Sequence, residues 1–414
     1  KTVNGDKEIQ LLIKAEGRRQ EDCLEMIPSE NYASVDVLNA CGSVLNNKYA
    51  EGYAGRRYYQ GNGIIDKIET LAIERAKKLF KAEHVNVQPY SGSTANLAAY
   101  FALLKPGDKI LGLSLSHGGH LTHGAAVNFS GTFYNFVSYG VSPETERLDM
   151  AEIARMAKAE KPKLIVSGFT AYPRLIDFYE FDRIAKEVGA YSMADISHIA
   201  GLVAGGVHPS PFPFTDIVTS TTHKTLRGPR GAMIMCKAAY AKAVDRAVFP
   251  GIQGGPHENT IAAKAVAFRE ALKPDFKKYA GQIVINAAVL AEALMKSGIK
   301  LVSDGTDNHL ILVNLLKTPA VGKPGMGRPI AGALEEAGIV TNANTVPFDP
   351  STPFNPSGLR LGTPILTTRG MKEKEMAAIA EMIVRVIENY EDKTVKLKIN
   401  KEVRELCKAF PFYS

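Results

Sequence analysis

The sequence contains little cysteine and no pair of cysteines at the spacing that metal-binding or redox motifs use. Its four cysteines, Cys23, Cys41, Cys236 and Cys407, are scattered over 414 residues. This usage is typical of a reducing compartment and argues against both a disulfide framework and a cysteine-based zinc site. We therefore expect no bound metal ion.

Long apolar runs are absent as well. No stretch approaches the roughly 20 apolar residues that a membrane-spanning helix needs. The first residues show no charged segment followed by an apolar one, which is the pattern of a secretory signal peptide. We therefore expect a cytoplasmic protein without a membrane partner.

Acidic residues are fewer than basic ones, which gives a net charge of +7 and a sequence pI near 9.0. Such a charge favours anionic ligands, for example phosphates, carboxylates or a polyglutamate tail. There is no basic block with interleaved aromatic residues and no zinc-finger spacing, so we expect no nucleic-acid partner. The lysine-rich residues 393–401 are interpreted as a solvated helix face or a tail.

The composition and the apolar pattern favour an α/β protein of two domains. Hydrophobic residues make up 45% of the chain and charged residues 22%, which is ordinary for a globular protein of this length. Strand-like and helix-like patterns alternate from about residue 66 to residue 240, which predicts a sheet sandwiched by helices. We expect an N-terminal arm at 1–45, a large domain at 46–275 and a small C-terminal domain at 276–414.

Single elements are predicted from apolar periodicity and from turn residues. The N-terminal arm is predicted to contain two short helices, at residues 8–13 and 18–26. Further helices are predicted at 66–80, 97–104, 181–188, 279–297 and 371–390, and strands within 107–115, 163–168, 191–194, 217–219, 232–236 and 310–315.

Lys224 has the sequence surroundings of a reactive lysine. It lies between a β-branched run that ends at Thr219 and a rigid Gly-Pro-Arg-Gly turn at residues 228–231. An amine held at such a place, desolvated or beside other cations, loses its proton more easily and can form a Schiff base with a carbonyl compound. Taken by its charge alone, Lys224 would be an ordinary surface lysine. The hydroxyls, the imidazole of His223 and the arginines within ten residues favour the reactive interpretation.

Two other segments permit a ligand as well as an ordinary structural role. Residues 90–96 form a small-residue loop that opens a helix, which suits a phosphate but, on spacing alone, is more simply a serine cap. Asp195 follows a strand, where ligands of α/β proteins bind and where an aspartate also caps turns. His117, His120 and His123 lie close together among glycines, without a nearby carboxylate, which favours close approach to a ligand over a metal site.

Residues 221–231, Thr-Thr-His-Lys-Thr-Leu-Arg-Gly-Pro-Arg-Gly, resemble the cofactor-lysine signature of serine hydroxymethyltransferases, which use pyridoxal 5'-phosphate (PLP). The resemblance extends over nearly the whole chain. It implies the PLP-dependent transferase fold of type I (aspartate-aminotransferase-like), with a large mixed-sheet domain and a smaller α+β C-terminal domain. It also implies reversible transfer of the hydroxymethyl carbon of serine to tetrahydrofolate, which gives glycine and 5,10-methylenetetrahydrofolate.

The resemblance implies roles for single residues. Lys224 holds PLP as an imine, Asp195 keeps the pyridine nitrogen protonated, and Glu51 handles protons, while His223 and Arg230 orient the lysine. The other implied cofactor-binding residues are Ser91, Gly92, Ser93, His120, Thr170, His198, Thr221, Gly254 and Gly255. The implied substrate-binding residues are Ser29, Tyr58, Tyr59 and Arg360, and the implied folate-binding residues are Leu115, Gly119, Leu121, Asn344, Thr352, Pro353 and Phe354.

The family pattern also implies an assembly, because Glu51, Tyr58, Tyr59 and Gly255 match positions that reach the neighbouring subunit's site. We therefore expect a homodimer or a tetramer with shared active sites. Tyr90 and Asn259 depart from the family, which usually has histidine at both positions. We expect Tyr90 to alter local packing without loss of chemistry, whereas Asn259 leaves the details of assembly open.

Two other functions are compatible with parts of this pattern. A folate-independent PLP aldolase acting on β-hydroxy or α-methyl amino acids needs the same cofactor residues but not the folate contacts. An RNA-binding protein that uses the basic surface would tolerate loss of the lysine. The complete set of cofactor, substrate and folate positions favours the folate-using transferase.

Overall fold

The computed structural model describes residues 5–413. Helices cover α1 (Lys7–Asp22), α2 (Val35–Cys41), α3 (Gly63–Phe80), α4 (Gly92–Leu103), α5 (Phe129–Phe133), α6 (Met150–Glu160), α7 (Phe178–Glu187), α8 (Ala200–Ala204), α9 (Ala241–Arg246), α10 (Glu258–Ala271), α11 (Pro274–Lys296), α12 (Gly327–Glu336), α13 (Pro364–Thr368), α14 (Glu373–Glu388) and α15 (Lys393–Ala409). Strands cover β1 (Leu24–Glu25), β2 (Gly52–Tyr53), β3 (Arg56–Arg57), β4 (His84–Asn86), β5 (Lys109–Leu113), β6 (Asn135–Tyr139), β7 (Leu164–Gly168), β8 (Tyr191–Asp195), β9 (Ile217–Thr221), β10 (Ala232–Cys236), β11 (Leu310–Asn314), β12 (Ile339–Val340), β13 (Asn342–Asn344) and β14 (Gly358–Gly362).

The chain divides into two compact units, and the division falls within α11. The larger unit is Ser29–Val284. The smaller unit joins Lys1–Pro28 to Ile285–Ser414.

A seven-stranded sheet forms the centre of the larger unit, in the order β4-β10-β9-β8-β7-β5-β6. β10 runs antiparallel to β4 and β9, and the other neighbours are parallel. Alternate residues of one strand enter different cores, because side chains of a strand point to opposite faces. Ile165 packs in one apolar cluster, whereas Leu164 and Val166 pack in another. Helices therefore cover both faces, which explains why almost every residue of β7–β10 is buried.

The parallel strands bring three chain segments together at their carboxyl ends. Gly168 is paired with Asp195, and Asp195 with Thr219, so the ends of β7, β8 and β9 are neighbours. The turn that contains Lys224 follows β9 directly. This edge of the sheet is where ligands of open α/β sheets bind.

The smaller unit contains a three-stranded antiparallel sheet in the order β11-β14-β13. β1 pairs in parallel with β12, which ties the start of the chain to the C-terminal part. An apolar cluster from β11, β14, α12, α14 and α15 forms its core. The larger unit with a mostly parallel sheet and this α+β unit together give the type I fold that the sequence predicts.

Most predicted helices and strands are confirmed, with shifted ends. The prediction of two helices in the N-terminal arm was wrong. The two predicted helices are one helix, α1, which continues through the exposed Gly17. A glycine inside a helix costs only about 1 kcal/mol, so it does not have to break one. The helix ends at Asp22, earlier than predicted, because Leu24 and Glu25 pair with β12. Within residues 5–413, no helix has the length and apolar character needed to cross a membrane.

Candidate active site

A cavity of about 300 Å³ lies in the larger unit, at the carboxyl ends of the parallel strands. It brings together residues from six separate segments of the chain, with Asp195 and Lys224 among them. The lining residues are Ser29, Glu30, Ser91, Gly92, Ser93, Asn96, His120, Phe169, Thr170, Asp195, Ser197, His198, Thr221, His223, Lys224 and Arg230. The cavity thus collects every predicted cofactor-binding residue except Gly254 and Gly255.

Asp195 is the buried charge of this cavity, only 8% exposed at the end of β8. Its Oδ1 accepts hydrogen bonds from the backbone N–H of Ser197 at 3.1 Å and from the Ser197 hydroxyl at 2.6 Å. Its Oδ2 accepts from Asn96 Nδ2 at 2.9 Å and lies 3.2 Å from His123 Nε2. Burial raises the pKa of Asp195, but the bond from His123 and the other donors hold that pKa below its usual value. The carboxylate is therefore ionised at neutral pH.

His123 and Asn96 are site residues to which the sequence prediction gave no role. The backbone N–H of His120 donates to His123 Nδ1 at 3.3 Å, which leaves the Nε2 proton to face Asp195. The side-chain oxygen of Asn96 accepts from the Thr219 hydroxyl at 2.6 Å, so its amide group points to Asp195. The sequence near the three histidines contains no carboxylate. In the structure His123 meets the carboxylate of Asp195, which ends a strand and lies 72 residues further along the chain. Among residues 5–413, no cluster of three or more metal-ligating side chains occurs.

The turn at residues 222–231, called the lysine turn below, is held by hydrogen bonds on both sides of Lys224. The Thr222 hydroxyl donates to the carbonyl of Pro229 at 2.7 Å, and the backbone N–H of Gly228 donates to the carbonyl of Thr222 at 2.7 Å. Asn31 Nδ2 donates to the Lys224 carbonyl at 3.1 Å. These bonds fix the backbone of the turn, so the lysine side chain leaves from a defined point beside the cavity.

His223 precedes the lysine and is partly buried. Burial lowers the pKa of His223 to about 3, and the charges of Arg230 and Lys224 act in the same direction. Its imidazole is therefore neutral at physiological pH. Its Nδ1 is buried and has no hydrogen-bond partner among the residues that the structure describes. A buried nitrogen of this kind suits contact with a ligand.

Residues 91–93, called the serine loop below, form the start of α4. Ser91 and Thr94 make a capping box, in which each side chain bonds the other residue's backbone N–H, at 3.3 and 2.9 Å. A Cβ atom at Gly92 would lie 2.7 Å from Thr221 Cγ2, so the loop passes β9 more closely than a side chain permits. The free N–H groups and the positive end of the helix suit an anion.

His120 and Thr170 form a further wall of the cavity. The backbone N–H of Thr122 donates to His120 Nδ1 at 3.1 Å, which fixes the plane of the ring. The Thr170 hydroxyl donates to the carbonyl of Gly119 at 2.9 Å and so joins the histidine segment to the end of β7. Gly119 itself approaches the backbone so closely that a Cβ would lie 2.2 Å from the Leu113 carbonyl oxygen.

A second cluster in the larger unit consists of predicted residues that do not line this cavity. They are Glu51, Tyr58, Tyr59, Gly254 and Gly255. Glu51 Oε1 accepts a hydrogen bond from the Tyr49 hydroxyl at 3.1 Å, and a Cβ at Gly254 would lie 3.1 Å from the same oxygen. Gly255 lies equally close to the Tyr49 ring. Tyr58 and Tyr59 are 71% and 47% exposed, and Tyr59 packs edge-on against Tyr49.

Tyr90, where the family usually has histidine, joins this second cluster to the start of the serine loop. Its hydroxyl donates to the carbonyl of Gly255 at 2.6 Å, and its ring stacks on His257 at 4.3 Å. Its backbone N–H donates to Gln253 Oε1 at 3.0 Å. Asn259, the other departure, donates to the carbonyl of Cys41 at 2.7 Å.

The remaining predicted residues belong to the smaller unit, except for Leu115 and Leu121, which are exposed in the larger one. Arg360 lies in the middle of β14, and its Nε donates to Asn342 Oδ1 at 3.0 Å. Burial lowers the pKa of Arg360 to about 10, which still leaves the guanidinium charged at neutral pH. Asn344 ends β13, and the nearby Phe354 is 77% exposed. Thr352 and Pro353 are exposed beside it.

Comparison with known proteins identifies the family. The family model described as serine hydroxymethyltransferase matches residues 2–383. The curated serine hydroxymethyltransferase of Desulfotalea psychrophila (strain LSv54 / DSM 12343) is 57% identical over 406 residues, which cover 98% of this chain and 94% of that protein. Enzymes of this family are PLP-dependent transferases of one-carbon metabolism. The chain therefore belongs to the serine hydroxymethyltransferase family, and it transfers the hydroxymethyl carbon of serine reversibly to tetrahydrofolate.

Proposed function

We propose that the cavity at the ends of β7, β8 and β9 is the active site of this transferase and that Lys224 is the residue that binds PLP covalently. The observation that carries this proposal is the junction of an ionised, buried Asp195 with Lys224 in one cavity. A buried carboxylate is costly unless it is fully hydrogen-bonded, and Asp195 has four such contacts. A site built at that cost is better explained by a ligand than by stability.

The residues present fit the chemical groups of PLP. The serine loop at the start of α4 suits the phosphate. Gly92 passes so close to Thr221 that no side chain fits there, so the ligand would contact the backbone of the loop. Asp195 suits a protonated pyridine nitrogen, and Lys224 supplies the amine. When bound, PLP supplies an electron sink that stabilises negative charge at the substrate's Cα.

Asp195 would keep the pyridine nitrogen protonated, because its ionised carboxylate stabilises the positive charge of the protonated ring. His123 and Asn96 hold the carboxylate in place. His223 stays neutral, so it adds no positive charge beside Lys224 and presents its free Nδ1 to the ligand. Arg230 lines the same cavity and supplies the positive charge there.

Ser29 and Arg360 are substrate-binding residues in this proposal, and Arg360 binds the carboxylate of serine or glycine. Its bond to Asn342 fixes the guanidinium plane, and planar paired donors match a carboxylate. Glu51 accepts and returns the proton of the substrate hydroxyl. The proposed folate-binding residues are Leu115, Gly119 and Leu121 in the larger unit, and Asn344, Thr352, Pro353 and Phe354 in the smaller unit. Leu115, Leu121 and Phe354 are exposed, so their side chains are accessible to a ligand.

We further propose a cytoplasmic homodimer in which Glu51, Tyr58, Tyr59, Gly254 and Gly255 complete the partner's cavity. Support comes from the absence of these five residues from the lining of the cavity and from the exposure of both tyrosines. Large exposed aromatic side chains are typical of surfaces that a partner covers.

Reduction with borohydride tests the first proposal. The purified enzyme should retain PLP after reduction and denaturation, attached to the peptide that contains Lys224. Lys224→Ala should still fold and should incorporate no label. Attachment of the label to another lysine in the wild-type enzyme would disprove the role of Lys224.

Mixing two inactive variants tests the shared site. Lys224→Ala lacks a cavity residue, and Tyr59→Phe lacks a residue of the second cluster, so one intact site should form in each mixed dimer. Random mixing should restore about a quarter of the wild-type activity. Lys224→Ala mixed with Asp195→Asn is the control, because both residues line one cavity and no intact site can form. If mixed dimers form but both mixtures stay inactive, the sites are not shared.

A further inference from the structure

Lys264 is a buried lysine outside the proposed cavity, and its partners are backbone carbonyls. Burial lowers the pKa of its amine to about 7, while the charges of Glu69 and Glu258 oppose that shift. Lys264 lies in the middle of α10 and is 1% exposed. Its Nζ donates to the carbonyls of Val87 and Ala232 at 2.7 Å each and to that of Pro89 at 3.2 Å. An ammonium group has three N–H donors, so these three carbonyls satisfy it completely.

The three carbonyls lie where two strands separate. β4 and β10 are paired up to Asn86 and Ile234, and beyond this pair the ladder ends. One backbone bond continues across the gap, from the N–H of Ala232 to the carbonyl of Pro89 at 3.1 Å. Lys264 bonds both sides at this point and therefore holds the two segments together where the sheet no longer does.

Each segment leads directly into a part of the proposed PLP site. Two residues after Pro89 the chain reaches Ser91, the first residue of the serine loop. Ala232 follows the last residue of the lysine turn, Gly231, whose carbonyl accepts from the backbone N–H of Thr222 at 3.0 Å. Lys264 is thus the side chain that ties the entrance of one loop to the exit of the other.

The packing beside Lys264 is fitted to the lysine side chain. A Cβ atom at Gly231 would lie 2.7 Å from Lys264 Cε and 3.2 Å from its Nζ, so the glycine makes room for it. Burying an ammonium is costly, and an apolar residue could fill the same space at lower cost. The cost is offset by the three hydrogen bonds, which also fix the distance between the two loops.

We propose that Lys264 is a positioning residue for PLP binding: its ammonium sets the separation between the serine loop and the lysine turn. This inference rests on the proposed function, because it takes these two loops to be the phosphate and lysine sites. Lys264 does not line the cavity and acts through the backbone of both loops.

The experiment measures PLP affinity, by absorbance titration of the enzyme stripped of cofactor, in Lys264→Met and in a control. Methionine keeps the length of the side chain and removes all three donors. The dissociation constant should rise at least tenfold, and borohydride should still label Lys224 at saturating PLP. The control is Arg75→Met, which removes a hydrogen bond of 2.7 Å from the Arg75 guanidinium to the carbonyl of Ala265. Ala265 belongs to α10, as Lys264 does, but this bond involves neither loop.

The control separates positioning from general stability. Arg75→Met should lower the denaturation midpoint yet leave PLP affinity within twofold of wild type. Unchanged PLP affinity in folded Lys264→Met overturns the inference, whereas labelling of a lysine other than Lys224 overturns the proposed function instead. Should Lys264→Met not fold, Lys264→Arg decides. Its planar fork cannot serve three converging carbonyls, so its PLP affinity should fall at least fivefold, and normal affinity refutes the role.

Discussion

Glu258, at the start of α10, gives a pH dependence of stability that can be derived from the structure. Its side chain is 1% exposed, and neither carboxyl oxygen has a hydrogen-bond partner among residues 5–413. Burial raises the pKa of Glu258 to about 8, and the charge of Glu69 acts in the same direction, while Arg57 opposes both. In the folded protein the carboxyl group is therefore neutral at pH 7, whereas in the unfolded chain it is ionised.

The sign of the effect follows from proton binding. Between the ordinary pKa of 4.5 and the folded pKa of about 8, the folded state holds a proton that the unfolded state has lost. The contribution of Glu258 to stability is therefore complete below pH 4.5 and declines as the pH rises through 8. One pKa unit corresponds to about 1.4 kcal/mol, so the loss between pH 5 and pH 8 is about 3 to 4 kcal/mol.

Glu258→Gln isolates this contribution, because glutamine has nearly the same shape and does not titrate. The free energy of unfolding of the variant minus that of the wild type should increase by about 3 kcal/mol from pH 5 to pH 8. Urea denaturation followed by circular dichroism measures this difference, at fixed protein and PLP concentrations. Glu391→Gln is the control, because Glu391 is exposed. Parallel stability curves of Glu258→Gln and wild type over this range would refute the reasoning.

Two further predictions concern the substrates. Arg360→Ala should weaken serine and glycine binding at least about 30-fold with PLP still bound, since loss of one partner of a buried charge pair costs about 2–5 kcal/mol. Arg360→Lys should restore little of this binding. Unchanged glycine affinity in Arg360→Ala would contradict the role of Arg360 in binding the substrate carboxylate. Asn344→Ala should raise the KM for tetrahydrofolate while sparing the folate-independent cleavage of allo-threonine. Equal loss of both activities would show that Asn344 does not act through folate.

The site residues whose positions could be predicted from the sequence are those at or just after the ends of strands. The β-branched run before Lys224 and the apolar strand before Asp195 both predict a strand, and parallel strands end at one edge. The two residues therefore meet in one cavity for a reason that is local in sequence. Their identification as PLP residues came from the resemblance of residues 221–231 to the family, not from this geometry.

The contacts that sequence could not place join distant segments. His123 and Asn96 bond Asp195 across 72 and 99 residues, and no local pattern indicates which carboxylate a histidine will meet. The helix α10 was not predicted at all. Its charged residues Glu258 and Lys264 are buried, so its polar and apolar positions do not mark an outer and an inner face.

These buried ionisable residues explain why composition is a poor guide to this helix. Lysine and glutamate are assumed to be exposed because desolvation of a lone charge is costly. At Lys264 part of that cost is offset by the three carbonyls that converge on the amine, at a place where the ladder between β4 and β10 has ended. The topology of the sheet determines where the ladder ends, and therefore where backbone carbonyls are left to accept hydrogen bonds from a buried lysine. A charge on an apolar helix that packs over the end of a sheet is thus a candidate for holding the loops that leave it.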